Sequence, residues 1–223
     1  MKRFFSVLAI TGAMVIGASS LKGAWIEGGN PLPVAFSNMV IFDSAGTYTW
    51  TVPDGVYKIK VEMWGAGGGG AYYSGSNEYC GGGGGGYGLV VIDVTPGQVC
   101  AITVGAGGDV GEDGGDTYVV CGSANYISHG GRGASTDSYG CDPGDGDTAI
   151  TPFFLKGENG GWYHYNSSYS YYGFAHGGSS PRGGFGGFWD NSSPYDSRHG
   201  SWPGGGGFEN YGHGADGAVT IWY

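Results

Sequence analysis

Beyond residue 36 the chain breaks repeatedly into short runs in which apolar and polar side chains alternate. Residues 40–42 begin the series, and Thr47-Tyr48-Thr49-Trp50-Thr51-Val52 continues it with the period of two expected of a half-buried strand. In residues 57–64 the set Ile59, Val61 and Met63 falls on one face, with Lys58, Lys60 and Glu62 on the other. Pro53-Asp54-Gly55 separates these two runs. Proline presets the turn and glycine tolerates a positive φ, so the pattern predicts an antiparallel hairpin of 47–52 with 57–64. Further strands are expected over 89–94, over 99–104 after the turn Pro96-Gly97-Gln98, over 118–121 and over 218–223. The last of these should be held in a sheet rather than loose. Leucine is nearly absent after residue 21, so the core must come from valine, isoleucine and aromatics, residues that favour strands.

Glycine fills the gaps between the strands. It makes up 52 of 223 residues and is concentrated in 65–70, 81–88, 105–108, 183–187 and 204–207. Glycine-rich sequence ordinarily behaves as a flexible linker. Here the runs alternate with strand patterns and are interleaved with large aromatics, which argues for packing. A left-handed helix of polyproline II type has three residues per turn and no internal hydrogen bonds, so all-glycine copies can lie side by side and bond to one another. The fold class expected is all-β: an antiparallel β-sandwich or jelly-roll-like sheet with packed polyglycine II-type segments, long loops and minimal helix.

The ends and the composition place the chain. Met1-Lys2-Arg3 is followed by an apolar stretch reaching Ala18, the layout of a secretory signal peptide. The stretch is shorter than the roughly 20 residues that span a bilayer, so removal is expected rather than anchoring. The reading is a signal peptide over 1–20 with cleavage as late as 24, a spacer over 21–35, and one glycine-rich β domain over 36–223. No transmembrane anchor is expected after processing, and the product is expected to be secreted, extracellular or on the cell surface. The formal charge of −10 argues against nucleic acid as a partner. An even number of cysteines in an exported chain reads as disulfides. Cys100 and Cys121 lie in strand-like runs and are expected to pair across neighbouring strands, leaving Cys80 to pair with Cys141.

The order of several motifs resembles that of a known family. Gly46-Thr47-Tyr48-Thr49-Trp50-Thr51-Val52-Pro53 is followed by Trp64-Gly65-Ala66-Gly67-Gly68-Gly69-Gly70, then by residues 81–88 and Thr95-Pro96-Gly97-Gln98. Ile102-Thr103-Val104-Gly105-Ala106-Gly107-Gly108, Gly114-Gly115-Asp116-Thr117 and the closing Gly214-Ala215-Asp216-Gly217-Ala218-Val219-Thr220-Ile221 complete the series. This order resembles the glycine-rich domain of bacterial surface proteins and phage tail-fibre tip adhesins. The resemblance implies an all-β domain with a glycine-helix layer and, in the phage members, receptor recognition by loops at the tip. The chain departs from the pattern in its signal peptide, its cysteines and the Tyr-, Ser- and Asp-rich residues 122–203. Export fits a cell-surface or secreted product better than a virion part.

Trp162, Tyr163, Tyr165, Tyr169, Tyr171 and Tyr172 form the densest aromatic patch and are the expected ligand-binding residues. Tyrosine with serine and glycine is also the composition of antibody binding loops, and flat rings stack on sugars. A second aromatic set, Phe185, Phe188, Trp189, Tyr195, Trp202, Phe208 and Tyr211, is spaced to cap turns of a glycine bundle. Of the two acidic loops, the one carrying Asp142, Asp145 and Asp147 is the candidate calcium site, although neither loop has a regular calcium-loop pattern. No other cofactor is implied. The histidines, His129, His164, His176, His199 and His213, are scattered without metal-site spacing. No nucleophile elbow is present, so no enzyme is expected. The function read from the sequence is an adhesin-like domain that recognises a cell-surface glycan or protein through Tyr-rich and Asp-rich loops. The alternative is a self-associating structural protein of an extracellular matrix, sheath or filament.

Overall fold

The alternating runs form strands. The computed structural model describes residues 36–75, 78–137, 141–166, 169–172, 176–188, 198–208 and 212–223, with 163–166 and 169–172 described by backbone alone. The signal peptide and spacer read over 1–35 lie outside the described residues. In chain order the strands are β1 (Met39–Phe42), β2 (Gly46–Thr51), β3 (Lys58–Trp64), β4 (Ala71–Tyr73), β5 (Glu78–Cys80), β6 (Tyr87–Asp93), β7 (Val99–Val104) and β8 (Thr117–Cys121). They continue as β9 (Ala124–Ser128), β10 (Ser135–Thr136), β11 (Cys141–Asp142), β12 (Ala149–Ile150), β13 (Phe153–Leu155), β14 (Trp162–Asn166), β15 (Tyr169–Tyr172) and β16 (Ala218–Trp222).

Two five-stranded antiparallel sheets, ordered β1-β16-β3-β6-β13 and β12-β9-β8-β7-β2, supply one core in the manner of a sandwich. Ile59, Val61, Met63, Val219 and Ile221 come from the first sheet, and Cys100, Ile102, Val104 and Val119 from the second. The expected inward set of Ile59, Val61 and Met63 is fully buried. Each such aliphatic side chain contributes about 1.5–3 kcal/mol of transfer free energy. Strand β16 lies between β1 and β3, so the closing residues are held in a sheet as expected. The strand-borne disulfide also forms: Cys100 and Cys121 stand opposite each other in register on β7 and β8, with Cα atoms 4.4 Å apart.

The hairpin expected from residues 47–52 and 57–64 does not form. The turn itself is present, with Gly55 at φ 80° and the Val56 amide donating to the Pro53 carbonyl at 3.2 Å. It carries the chain from one sheet to the other. Strand β2 pairs with β7, while β3 lies between β16 and β6. Val52 stays with the first partner, donating to the Gln98 carbonyl and accepting from the Gly97 amide. Alternation tells which face of a strand is buried, but two apolar faces can meet across a core as well as side by side in one sheet.

Beyond the sandwich, β3 runs into residues 65–70, glycine except for Ala66, and then β4, while β5 returns through glycines 81–86 into β6. These two runs bond by threes. Gly83 and Gly86 donate to Arg132 and His129, Gly81 and Gly84 to Gly161 and Glu158, and Gly82 and Gly85 to Gly207 and Gly204. The other run repeats the rule: Gly65 and Gly68 donate to Gly86 and Gly83, Ala66 and Gly69 to Gly115 and Glu112, and Gly67 and Gly70 to Ala215 and Gly212. Every third amide therefore faces the same neighbour. A Cβ on Gly83 would overlap the Asp145 carbonyl, and one on Gly68 the Arg132 carbonyl. Side chains are excluded because backbone occupies their space.

Candidate functional site

At the far end of both glycine runs from the sandwich lies a third sheet, ordered β15-β14-β5-β4. The β4–β5 hairpin at one end of this sheet is built from the residues that leave one run and enter the other. Strands β4 and β5 place Tyr72 opposite Tyr79 and Tyr73 opposite Glu78. Strand β14 adds to β5 with Tyr163 opposite Tyr79 and His164 opposite Glu78. Strand β15 then pairs with β14, with a register shift between His164 and Asn166. The tyrosine patch read from the sequence is thus a pair of strands attached to a hairpin that already carries tyrosines.

The rings of Tyr72 and Tyr79 stack with centroids 4.7 Å apart and planes inclined by 27°. Directly opposed aromatic pairs of this kind contribute about 0.5–1.5 kcal/mol beyond their area. Tyr163 holds the next position along the same row of the sheet. Trp162, opposite Cys80, is half exposed. Tyr163, Tyr165, Tyr169, Tyr171 and Tyr172 all lie on β14 or β15, and their side chains lie outside the described residues. Tyr72 and Tyr79 were missing from the expected site, although their signal was legible: aromatics flank Ser74-Gly75-Ser76-Asn77, a turn-forming sequence.

The sheet is fastened at its base. Cys80, fully buried, is bonded to Cys141 with Cα atoms 6.1 Å apart, the second expected pairing. Glu78 Oε2 accepts the Cys141 amide at 3.0 Å, and Ala71, Cys80 and Ala134 pack together with Cys141 against them.

The acidic residues serve mainly the backbone. Asp142 lies on β11 and is exposed. Asp145 Oδ1 accepts from Asn159 Nδ2 at 2.8 Å, while its carbonyl accepts the Arg132 amide. Asp147 Oδ1 accepts the Thr148 amide at 2.7 Å, while its carbonyl accepts the Gly157 amide. Elsewhere Asp116 accepts from Gly130 N at 3.0 Å and Tyr118 Oη at 3.0 Å, and its Oδ2 lies 3.2 Å from His129 Nδ1. Asp216 receives the amides of Gly107 at 2.8 Å and Ala45 at 3.2 Å. Sequence reasoning missed this role, in which carboxylates fasten the ends of glycine segments. Among the described residues no group of three or more His, Cys, Asp or Glu side chains is placed to hold a metal ion.

The other candidates divide. Of the second aromatic set, Phe208 is fully buried and bridges to Gly81, and Trp202 Nε1 donates to the Gly217 carbonyl at 3.1 Å. Phe185 and Phe188 are exposed, so they do not cap the bundle as expected. A cap needs contact on both ring faces, and spacing alone does not supply it. Trp189, Tyr195 and Tyr211 lie outside the described residues. His199 and His213 stack at 5.1 Å, with His213 Nδ1 3.0 Å from Asp109 Oδ1. The buried Ser128 and Ser180 hydroxyls donate to the carbonyls of Gly86 and Gly85, so both are spent on the glycine run.

Two phenols are perturbed. Burial, then the nearby Glu62 carboxylate, pushes the Tyr87 hydroxyl up to about 12. The hydrogen bond to Asp116, then burial, raises that of Tyr118. Neither group is primed as a base near neutral pH. Among the described residues no helix is long and apolar enough to cross a membrane.

With this geometry in hand, comparison with known proteins gives one positive finding. A family profile described as a glycine-rich domain matches residues 43–222. No curated protein matches the chain.

Proposed function

The chain belongs to the glycine-rich domain family, and from that premise we propose that it is a non-enzymatic, adhesin-like binding domain, secreted or displayed on a cell surface. A non-catalytic, all-β glycine-rich domain is consistent with a binding or structural role. The observation that carries the binding reading is the row Tyr72, Tyr79 and Tyr163 on a sheet pinned by Cys80 and Cys141. Rigid aromatic rows offer flat apolar area with polar tips at low entropic cost, which suits the faces of sugar rings and the edges of peptides. We take the two glycine runs as polyglycine II-type helices. At about 3.1 Å per residue, a run of this length would set the tyrosine sheet roughly 19 Å beyond the sandwich.

The ligand class favoured is a cell-surface glycan. The oxidised protein would be applied to a glycan array beside Tyr72→Ala, Tyr79→Ala and the quadruple alanine replacement of Tyr163, Tyr165, Tyr171 and Tyr172. Loss of about tenfold or more in binding by these variants, with unchanged circular dichroism, is the expected result. Retention of full binding by all of them would overturn the reading.

The structural alternative draws on a different observation, the exposure of Phe185 and Phe188. A matrix or sheath protein would grow without limit as concentration rises, whereas an adhesin would remain a discrete species.

A further inference from the structure

The run Ile150-Thr151-Pro152-Phe153-Phe154-Leu155 contains no charge, although the chain carries a formal charge of −10. It lies where the chain passes from β12, the end strand of one sandwich sheet, to β13, the end strand of the other. Its apolar side chains face water: Ile150 is 60% exposed, Phe153 50%, Phe154 53% and Leu155 37%. With aromatic side chains burying about 150–250 Å² each, these fractions leave on the order of 400 Å² of apolar surface uncovered. Phe153 and Leu155 on one face of β13 and Phe154 on the other flank the strand's outer edge, an uncharged apolar rim as large as the biggest patch on a typical monomer and a candidate contact surface. In the sheets this run pairs with β9 and β6 and not with the strands that carry the tyrosine row.

Beside this projecting apolar run lies a hole. A cleft of about 320 Å³ is lined by Leu155, Lys156, Glu158, Ser179, Ser180 and Pro181, and Leu155 belongs to both features. A cavity of about 150 Å³ holds a benzene ring, so this cleft has room for a phenylalanine side chain. A surface that bears a projecting phenylalanine next to a hole large enough for one is complementary to itself under a two-fold rotation. Strand β13 bonds to β6 on one side and ends its sheet on the other, which leaves an edge for antiparallel strand addition.

We propose that the β12–β13 edge is an isologous interface at which a second copy of this chain docks, each copy placing Phe153 or Phe154 in the cleft of the other. A stable interface needs about 800 Å² per partner, of which the apolar run supplies about half. Charge favours the location: two strongly acidic molecules meet with less repulsion along the uncharged run 150–155, and Glu158, the acid that lines the cleft, is accompanied there by Lys156. The dimer would present two tyrosine sheets at once, and such pairing raises avidity for a multivalent surface without new contacts.

The test is sedimentation equilibrium of the oxidised protein over a wide concentration series. A closed monomer–dimer equilibrium is expected, weakened by about tenfold or more in Phe153→Glu and in Phe154→Glu, with circular dichroism unchanged. A monomer at every concentration, open-ended growth, or equal dimerisation by both variants would overturn the proposal. Should the variants misfold, hydrogen exchange of the wild-type protein at low and high concentration decides. Concentration-dependent protection confined to peptides over 150–158 and 179–181 supports the interface, and protection elsewhere or none refutes it.

Discussion

The amide of Gly83 donates to the carbonyl of Arg132 at 2.8 Å, and the same glycine receives the Gly68 amide on its own carbonyl at 2.9 Å. A single residue without a side chain thus joins both central runs and an outer segment. That arrangement sets the first prediction. In Gly83→Ala the new Cβ would overlap the Asp145 carbonyl, a backbone atom that cannot swing aside. A loss of about 3 kcal/mol or more is expected. Gly97→Ala is the control: its φ of +79° makes alanine strained, but nothing lies within reach of the added atom. That change should cost about 1–2 kcal/mol. Urea denaturation of both variants measures the difference, and similar losses would contradict the packing argument.

The two disulfides should separate by function. Cys100–Cys121 closes a sequence separation of 21 within the sandwich, and replacing both with alanine should cost about 3 kcal/mol. Cys80–Cys141 closes a separation of 61 and pins the tyrosine sheet. Its removal should cost about 4 kcal/mol and also reduce ligand binding at temperatures where the protein remains folded. Denaturation midpoints and array signals on the two double mutants check both halves. Equal binding by the two mutants would mean that the tyrosine sheet needs no pin.

Much of the sandwich was legible in the sequence because alternation reports burial directly. Ile59, Val61 and Met63 were assigned inward and are fully buried, and both cysteine pairs follow from which runs are strands and which are loops. Pairing partners were less legible. Residues 47–52 and 57–64 read as a hairpin because a turn joins them, yet β2 and β3 belong to separate sheets. The glycine segments were legible as packed, but not which segment neighbours which. Glycine has no side chain to encode a partner, and segments around 129–133, 144–147 and 157–161 enter the bundle with few consecutive glycines of their own. At the site, the tyrosines of β14 and β15 were conspicuous by density. Tyr72 and Tyr79 left a weaker trace, aromatics flanking a turn-forming sequence, because three-residue strands are too short to show a period.

Asp116 is expected to matter more than its partly exposed position suggests. Its two oxygens serve the Gly130 amide, the Tyr118 hydroxyl and the His129 ring, which ties β8 to the segment that feeds the glycine bundle. Hydrogen bonds to a charged group contribute about 1.5–3 kcal/mol, so Asp116→Ala should lose about 2–3 kcal/mol. The neighbouring Asp113→Ala should lose less, because among the described residues Asp113 holds the Gly133 amide at 2.8 Å and an exposed pairing with Arg132 at 3.5 Å. Thermal melts of the two variants test the ranking.

Alkaline stability should depend on Tyr87. Its side chain is fully buried, packs at a tilt against Trp64 with ring centroids 5.2 Å apart, and donates to Glu62 Oε1 at 3.4 Å. Burial first, and the Glu62 charge second, raise its hydroxyl from 10.0 to about 12. Between those values the folded protein keeps a proton that the unfolded chain has lost, so the unfolded state binds fewer protons and stability falls as pH rises. The contribution is fully present below about pH 10 and disappears as pH passes through about 12, at up to about 1.4 kcal/mol per pH unit for the single group. The raised Tyr118 hydroxyl adds to the fall in the same direction. Tyr87→Phe keeps the ring and removes the titrating group. It should cost about 1 kcal/mol near neutral pH for the lost hydrogen bond and then lose less stability than the wild type between pH 9 and about 11.5. Urea midpoints measured across that range decide the matter, and parallel curves for the two proteins would show that the alkaline transition begins at another group.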